Sequence, residues 1–303
     1  MNYIVNCFLK NVNMTVGILT TNYNTWDLSS QCISNCLKYA DDTIDKFVVV
    51  DDCSTQEFTN TFKEVTLIRN QQNSGLIKSL NTGLAALDTD LVIIFDSDAW
   101  PLENFIKETK KYFAENPQVG IAVYQTQNAD GKPAVSFEPE PDAMSVILGQ
   151  QLHGRYQKIF NKNPKNITLY TCAMILRKEV IEQTGGFDVN YDWLELDHDI
   201  CMAAIRKGWK MGVVPVKAFH KGSGTPQKVA NRVIRFYKNR IKLLKKFNKY
   251  PAAGLINTLV VSRLLAEYLL VNTAGFIKYP AEVRKDKSYS RSQLIKLFIS
   301  GKI

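Results

Sequence analysis

No CxxC pair occurs in this 303-residue chain, no GxGxxG turn and no GxxxxGK turn ending in Ser or Thr follows any of its apolar runs. No stretch of about 18 residues is free of charge either. Each absence narrows the choice. The six cysteines, Cys7, Cys32, Cys36, Cys53, Cys172 and Cys201, read as reduced thiols. With nothing at the start resembling a cleavable leader, a cytosolic chain is expected. The missing glycine turns disfavour Walker-type NTPases and nicotinamide enzymes, whose phosphate cradles need them. The missing charge-free window predicts no spanning helix, so the chain is expected to be soluble or peripheral. Acidic residues are scarce in one region: residues 221–303 hold 18 Lys and Arg against 3 Asp and Glu, a net +15, while residues 1–220 sum to −6. Between 221 and 250 there are ten basic side chains and no acidic one. That pattern suits a surface meeting phosphates, anionic lipid or nucleic acid, or a solvated helix face.

What is present begins with Leu91-Val92-Ile93-Ile94-Phe95-Asp96-Ser97-Asp98. A β-branched run without alternation reads as a buried parallel strand, and here it ends in two carboxylates one residue apart. In open α/β sheets ligands bind beyond the carboxyl ends of the strands, where Asp-x-Asp can offer oxygens to a hard divalent cation. A strand followed by an Asx turn or a helix cap would look the same. Three earlier strands also end in polar residues. Thr15–Thr20 runs into Thr21-Asn22-Tyr23-Asn24, Lys46–Val50 into Asp51-Asp52, and Val65–Ile68 into Arg69-Asn70 and then Asn73-Ser74-Gly75. Helices are expected from about Trp26 to Tyr39, from an Asn73 or Ser74 cap to about Leu87, and from Pro101 to Glu115. This alternation predicts an α/β fold of βαβ units with right-handed crossovers and a mostly parallel sheet flanked by helices. Thr20, Asn22, Asp51, Asp52, Asn73, Gly75, Asp96 and Asp98 would then line a single crevice.

Taken in order, these motifs resemble family 2 glycosyltransferases of the Rossmann-like GT-A fold. The resemblance rests on Ile18-Leu19-Thr20-Thr21-Asn22-Tyr23-Asn24, Val49-Val50-Asp51-Asp52-Cys53-Ser54-Thr55, Asn73-x-Gly75 continuing to Asn81-x-Gly83, and Asp96-Ser97-Asp98, and it covers roughly residues 15–222. It implies a nucleotide-sugar site, with a UDP-sugar as the expected donor. By position, Thr20 and Asn22 would border the nucleoside, and Asp51-Asp52, with Asp52 preferred, would hold the base. Asn73 and Gly75 would approach the ribose and diphosphate, Asp96 would sit near the ribose, and Asp98 would ligate Mn²⁺ or Mg²⁺. A second block, Gly185-Gly186-Phe187 through Asp197-His198-Asp199, resembles the family's GGF…ED.D segment and puts Asp197 in the place of the catalytic base. The family's usual Glu neighbour is Leu196 here, with Glu195 one place earlier, so Glu195 and Asp199 stay open as substitutes. His220, after the last strand, takes the place of a metal-ligating histidine, and Lys221-Gly222-Ser223-Gly224-Thr225 is expected to close as a lid.

The implied reaction is attack of an acceptor hydroxyl on the anomeric carbon, with inversion and departure of a nucleoside diphosphate. The acceptor would be a glycan or a lipid-linked molecule, shaped by residues of about 125–220. Residues 1–222 are expected to form the catalytic domain and 223–303 a helical, basic C-terminal region. There Val229, Val233, Phe236, Tyr237, Ile241, Leu244 and Phe247 recur at spacings of three and four on one helix face. Gly254 to Ile277 is apolar but carries Arg263 and Glu267, which predicts a packed or interfacial helix. Two readings of this tail stay open: attachment to an anionic membrane on its inner face, or packing against the catalytic domain or a second subunit. Other classes fit less of the chain. A nucleic-acid-binding protein explains the basic tail and leaves the carboxylate crevice without a role. A non-catalytic GT-A-like sugar-binding or scaffold protein is disfavoured because Asp96, Asp98, Asp197 and His220 are all intact.

Overall fold

Uninterrupted β-branched runs become the interior of an eight-stranded sheet in the computed structural model, which describes residues 14–57, 62–161, 163–191, 193–222 and 229–303. The described residues open with β1 (Val16–Asn22), α1 (Trp26–Lys38), β2 (Lys46–Asp51), β3 (Val65–Arg69), α2 (Leu76–Ala85) and β4 (Leu91–Phe95). It continues through β5 (Ala99–Pro101), α3 (Ile106–Glu115), β6 (Val119–Gln127), β7 (Phe137–Pro139) and α4 (Met144–Phe160). Next come β8 (Ile167–Leu169), β9 (Ala173–Arg177), α5 (Lys178–Thr184), α6 (Leu196–Arg206) and β10 (Lys210–His220). The last described elements are α7 (Val229–Lys246), α8 (Ala253–Thr273), α9 (Gly275–Lys278) and α10 (Ala281–Ile299).

The strand order is β3-β2-β1-β4-β9-β6-β10-β5. Neighbours β3, β2, β1 and β4 pair in parallel, as do β6 and β10, whereas β9 and β5 run against their partners. The sheet is therefore mostly parallel, as the alternation predicts. Its central strands are fully buried: Ile18, Leu19, Val48, Val49, Leu91, Ile93 and Phe95 have no exposed surface. Beside them Phe95, Phe105 and Tyr124 form an aromatic cluster, and the Tyr124 hydroxyl meets Thr109 Oγ1 at 2.6 Å.

Two local readings change. Pro101 ends the edge strand β5 instead of opening a helix. Helix α3 starts later, at Ile106, because its first amide groups are received elsewhere: Ile106 N–H and Lys107 N–H both donate to Asp41 Oδ1, at 3.0 and 3.2 Å. The segment after β6, opaque in sequence, holds α4, which bends at Gly149.

The described residues divide into two compact units, one within 1–138 and 166–224, the other within 139–165 and 225–303. In the second unit α4 joins the C-terminal helices. There α8 packs on α10 and α4, and the Arg263 guanidinium donates to Glu267 and to the Tyr237 hydroxyl. Arg291 Nε donates to Glu267 Oε2 at 3.0 Å, and Lys249 pairs with Glu140 at 3.1 Å. Helix α8 is long and apolar enough to cross a membrane by length and composition, which revises the expectation that no segment qualifies. The expected lid lies outside the described residues from Ser223 onward, as do Cys7 and the Val229 side chain. The five described cysteines are free thiols.

Candidate active site

Because β1 to β4 run the same way, their carboxyl ends meet at one edge of the sheet, and the polar residues that follow them form one connected network. Asp51 and Asp52 are both buried, and their carboxylates accept from the protein itself. Asp52 Oδ1 receives Asn70 Nδ2 and Ser74 N–H, each at 2.8 Å, and Oδ2 receives Gly75 N–H at 2.8 Å. Burial alone would raise its pKa; the donors from Asn70, Ser74, Gly75 and Ser79 outweigh burial and hold it below the usual carboxylate range. Asp52 thereby ties the end of β2 to the start of α2. Gly75, the residue before α2, sits at φ +85° and ψ 160°, a conformation essentially reserved for glycine. Asn73 is exposed beside it, and its Oδ1 accepts Gly75 N–H at 3.2 Å.

Asp51 accepts from Asn22 Nδ2 at 2.8 Å and from the Ser54 hydroxyl, and Arg69 Nε lies 3.4 Å from its other oxygen. Asn22 Oδ1 in turn accepts from Thr25 and Ser29. Thr20 has no exposed surface, and its hydroxyl contacts Cys32 Sγ at 3.5 Å. Thr20 and Asn22, expected to border the nucleoside, thus brace the strand end from within, while Asn73 and Gly75, expected to approach the ribose and diphosphate, are exposed and half-buried.

A cluster of titratable side chains lies one strand further on. Asp96 and Asp98 follow β4, and the antiparallel register of β10 with β5 sets His220 opposite Ala99, beside them. Ligand atoms of Asp96, Asp98 and His220 lie within 4.8 Å of one another, with His220 Nε2 3.6 Å from Asp98 Oδ1. Two carboxylates and an imidazole form an oxygen and nitrogen donor set suited to Mn²⁺ or Mg²⁺. Burial, reinforced by the Asp98 charge, pushes the Asp96 pKa up to about 6; His220 opposes this and Asp197 adds to it. Asp197 therefore shares the electrostatic field of the cluster, although it lies about a hundred residues away in sequence.

Asp197 is in the first turn of α6, and His198 N–H donates to its Oδ1 at 2.9 Å. Burial holds its pKa above the usual carboxylate range, with Glu195 adding repulsion and His198 opposing both. Glu195, in a left-handed conformation at the head of α6, and Asp199 are both buried, so Asp197 keeps more solvent access than either of them.

Sequence reading missed the supports of this block. His198 is buried between Thr168 Oγ1, 2.9 Å from its Nδ1, and Glu138 Oε1, 3.2 Å from its Nε2, and Tyr170 donates to Glu138 Oε2 at 2.8 Å. Nothing in the spacing of 138, 168 and 198 announces this contact. Asn81 clamps the GGF segment through two bonds to the Phe187 backbone, at 2.8 and 2.9 Å. Two residues on, Gly83 lets α2 lie against β1, since a Cβ there would overlap Leu19. The Asn81-x-Gly83 motif carried both signals.

A mostly parallel sheet of this order, with Asp-x-Asp at the end of its central strand and a carboxylate at the head of a later helix, is a GT-A architecture. The chain belongs to glycosyl transferase family 2, whose model matches residues 17–185, more than half of its length. Among curated proteins it is similar to the pre-mycofactocin glycosyltransferase of Mycobacterium tuberculosis, 23% identical across 60% of this chain and 42% of that one. The chain thus spans less than half the length of that relative. Among solved structures it is similar to the mannosyltransferase PcManGT from Pyrobaculum calidifontis in complex with GDP-Man and Mn²⁺, with a TM-score of 0.52, 16% identity and coverage of 97% of this chain and 91% of that one. It is also similar to S. aureus TarS 1-349 in complex with UDP-GlcNAc, with a TM-score of 0.53, 17% identity and coverage of 93% and 81%. At these identities the likeness carries the fold.

Proposed function

We propose that this chain is a glycosyltransferase that moves a sugar from a nucleotide-diphosphate sugar to an acceptor hydroxyl with inversion, in a reaction assisted by a divalent cation. The observation that carries this reading is the gathering of Asp96, Asp98 and His220 at the edge of the sheet that Asp197 also faces electrostatically. Asp98 and His220, with Asp96 beside them, would hold Mn²⁺ or Mg²⁺. When bound, the cation supplies positive charge against the diphosphate leaving group. Asn73 and Gly75 approach the ribose and diphosphate, with Asp51 and Asp52 setting the shape of the nucleoside pocket and Thr20 and Asn22 bracing it. Asp197 takes the proton of the acceptor hydroxyl as that oxygen attacks the anomeric carbon. Its raised pKa suits the role, because a base titrating nearer neutrality accepts a proton more readily than an ordinary carboxylate. A single displacement inverts the anomeric centre and needs no covalent nucleophile.

A UDP-sugar is the first donor to test, and the basic tail favours a glycan or lipid-linked acceptor at the inner face of an anionic membrane. Calorimetry with UDP, GDP and dTDP, with and without Mn²⁺, on the intact chain and on Asp98→Ala tests the site. Binding of one nucleotide that needs the metal and is lost in Asp98→Ala is the expected result. If no nucleotide binds under any condition, the reading fails.

A further inference from the structure

We infer that the outward face of α8, continued by Phe276 and Ile277, seats in the interfacial layer of an anionic membrane with the helix lying in the membrane plane. The inference deepens the membrane part of the proposed function and stands apart from sugar transfer. It begins with how α8 divides its residues. At 100° per residue, Ile256, Val260, Leu264 and Val271 share one side and are buried in the helical unit. Arg263 and Glu267 lie on that same inward side, where Glu267 binds both Arg263 and Arg291, and Arg263 also binds Tyr237. The exposed side presents Leu255, Leu259, Leu265, Leu269 and Leu270, each between 44% and 63% exposed, with Leu270 at its border next to Arg263. Only small or hydroxyl side chains lie among them, and no charged residue of α8 is on that face.

The inward ion pairs explain why this helix lies on a membrane and does not cross it. A spanning helix would have to part Glu267 from Arg291 and Arg263 from Tyr237, and carry its own Arg263–Glu267 pair into hydrocarbon, where charged side chains cost several kcal/mol. Lying in plane, it keeps the network closed and offers only leucine to the lipid.

Charge decides between a membrane and a second copy of the chain. Residues 221–303 carry a net +15, so pairing two copies on this face would bring like charge together, whereas an anionic surface neutralises it. The end of the face has the composition of an interfacial anchor. Phe276 and Ile277 are 65% and 79% exposed. Directly after them, Tyr279 is flanked by Lys278 and Lys287, whose ammonium groups lie 5.6 and 4.7 Å from its ring centroid. Apolar side chains beside an aromatic ring and lysines match the boundary between acyl chains and anionic headgroups.

The test is flotation of the intact chain with vesicles of phosphatidylcholine alone or mixed with phosphatidylglycerol, for the parent and for Leu259→Glu, Leu269→Glu and Lys278→Gln. The parent should float with the anionic vesicles. Each leucine variant should lose about tenfold or more in partitioning, and Lys278→Gln about fivefold on the anionic vesicles. Far-UV circular dichroism and nucleotide calorimetry, unchanged in these variants, separate this outcome from misfolding and from failure of the transfer reading. Equal flotation of the parent and both leucine variants would overturn the inference, since the basic charge would then suffice. A parent dimer that Leu259→Glu splits, with no flotation, assigns the face to a second copy and also overturns it. A protease-protected fragment containing α8 would overturn the in-plane mode.

Discussion

Asp197 and its neighbours show how single side chains set the chemistry available at this edge. Asp197→Asn removes the proton acceptor while keeping its size, so turnover should fall by about 10²–10⁴-fold. Nucleotide affinity measured by calorimetry should stay at the parent value, and a loss of binding would contradict the assignment. The sign of the pH dependence follows from burial. Burial favours the neutral carboxyl and raises the Asp197 pKa, and only the ionised form accepts a proton. Turnover should therefore decline as pH falls through a value above the ordinary Asp value of about 4, and this acid limb should be absent in Asp197→Asn. His198 was unreadable as a support, because its partners Thr168 and Glu138 come from distant segments joined only by the fold.

Elements are fixed at this edge of the sheet through a few contacts between their ends. Asp52 joins the carboxyl end of β2 to the start of α2, accepting two backbone N–H groups and one amide. Asp52→Ala leaves those donors without their acceptor and should cost about 2 kcal/mol or more in urea unfolding at neutral pH. Because the folded pKa of Asp52 is depressed, its stabilisation is present above the unfolded value of about 4 and is lost as pH falls through the folded value. The two proteins should then converge in acid. Gly83→Ala forces a methyl group into Leu19 and should cost about 1–3 kcal/mol through overpacking. Equal stability to the parent would mean that α2 shifts freely on β1.

At the scale of the whole molecule, the two units should answer to different perturbations. Saturating nucleotide with Mn²⁺ should slow hydrogen exchange in the loops after β1, β2, β4 and β10 and leave α7 to α10 at their own rates. Protection confined to the helical unit would place the ligand elsewhere. Glu267 joins Arg263 and Arg291, so Glu267→Ala leaves two guanidinium groups without their carboxylate and should destabilise the helical unit by about 2 kcal/mol. Denaturant unfolding followed by circular dichroism of the intact chain checks this.

The sequence by itself determined the α/β class, the strands of the parallel half and the order of its polar ends. Each of these rests on local signals: β-branched runs, turn residues, and carboxylates immediately beyond a strand. It also marked Asp96, Asp98, Asp197 and His220 as a set through their family resemblance. Only the tertiary structure decided that β9 and β5 are reversed, and that the register of β10 on β5 carries His220 to Asp98. Strand direction and register depend on pairings between segments far apart in the chain, which no local period encodes. The same holds for α8. Its composition showed an apolar helix interrupted by two charges, and only packing against its neighbours turned both charges inward and left the leucines outside.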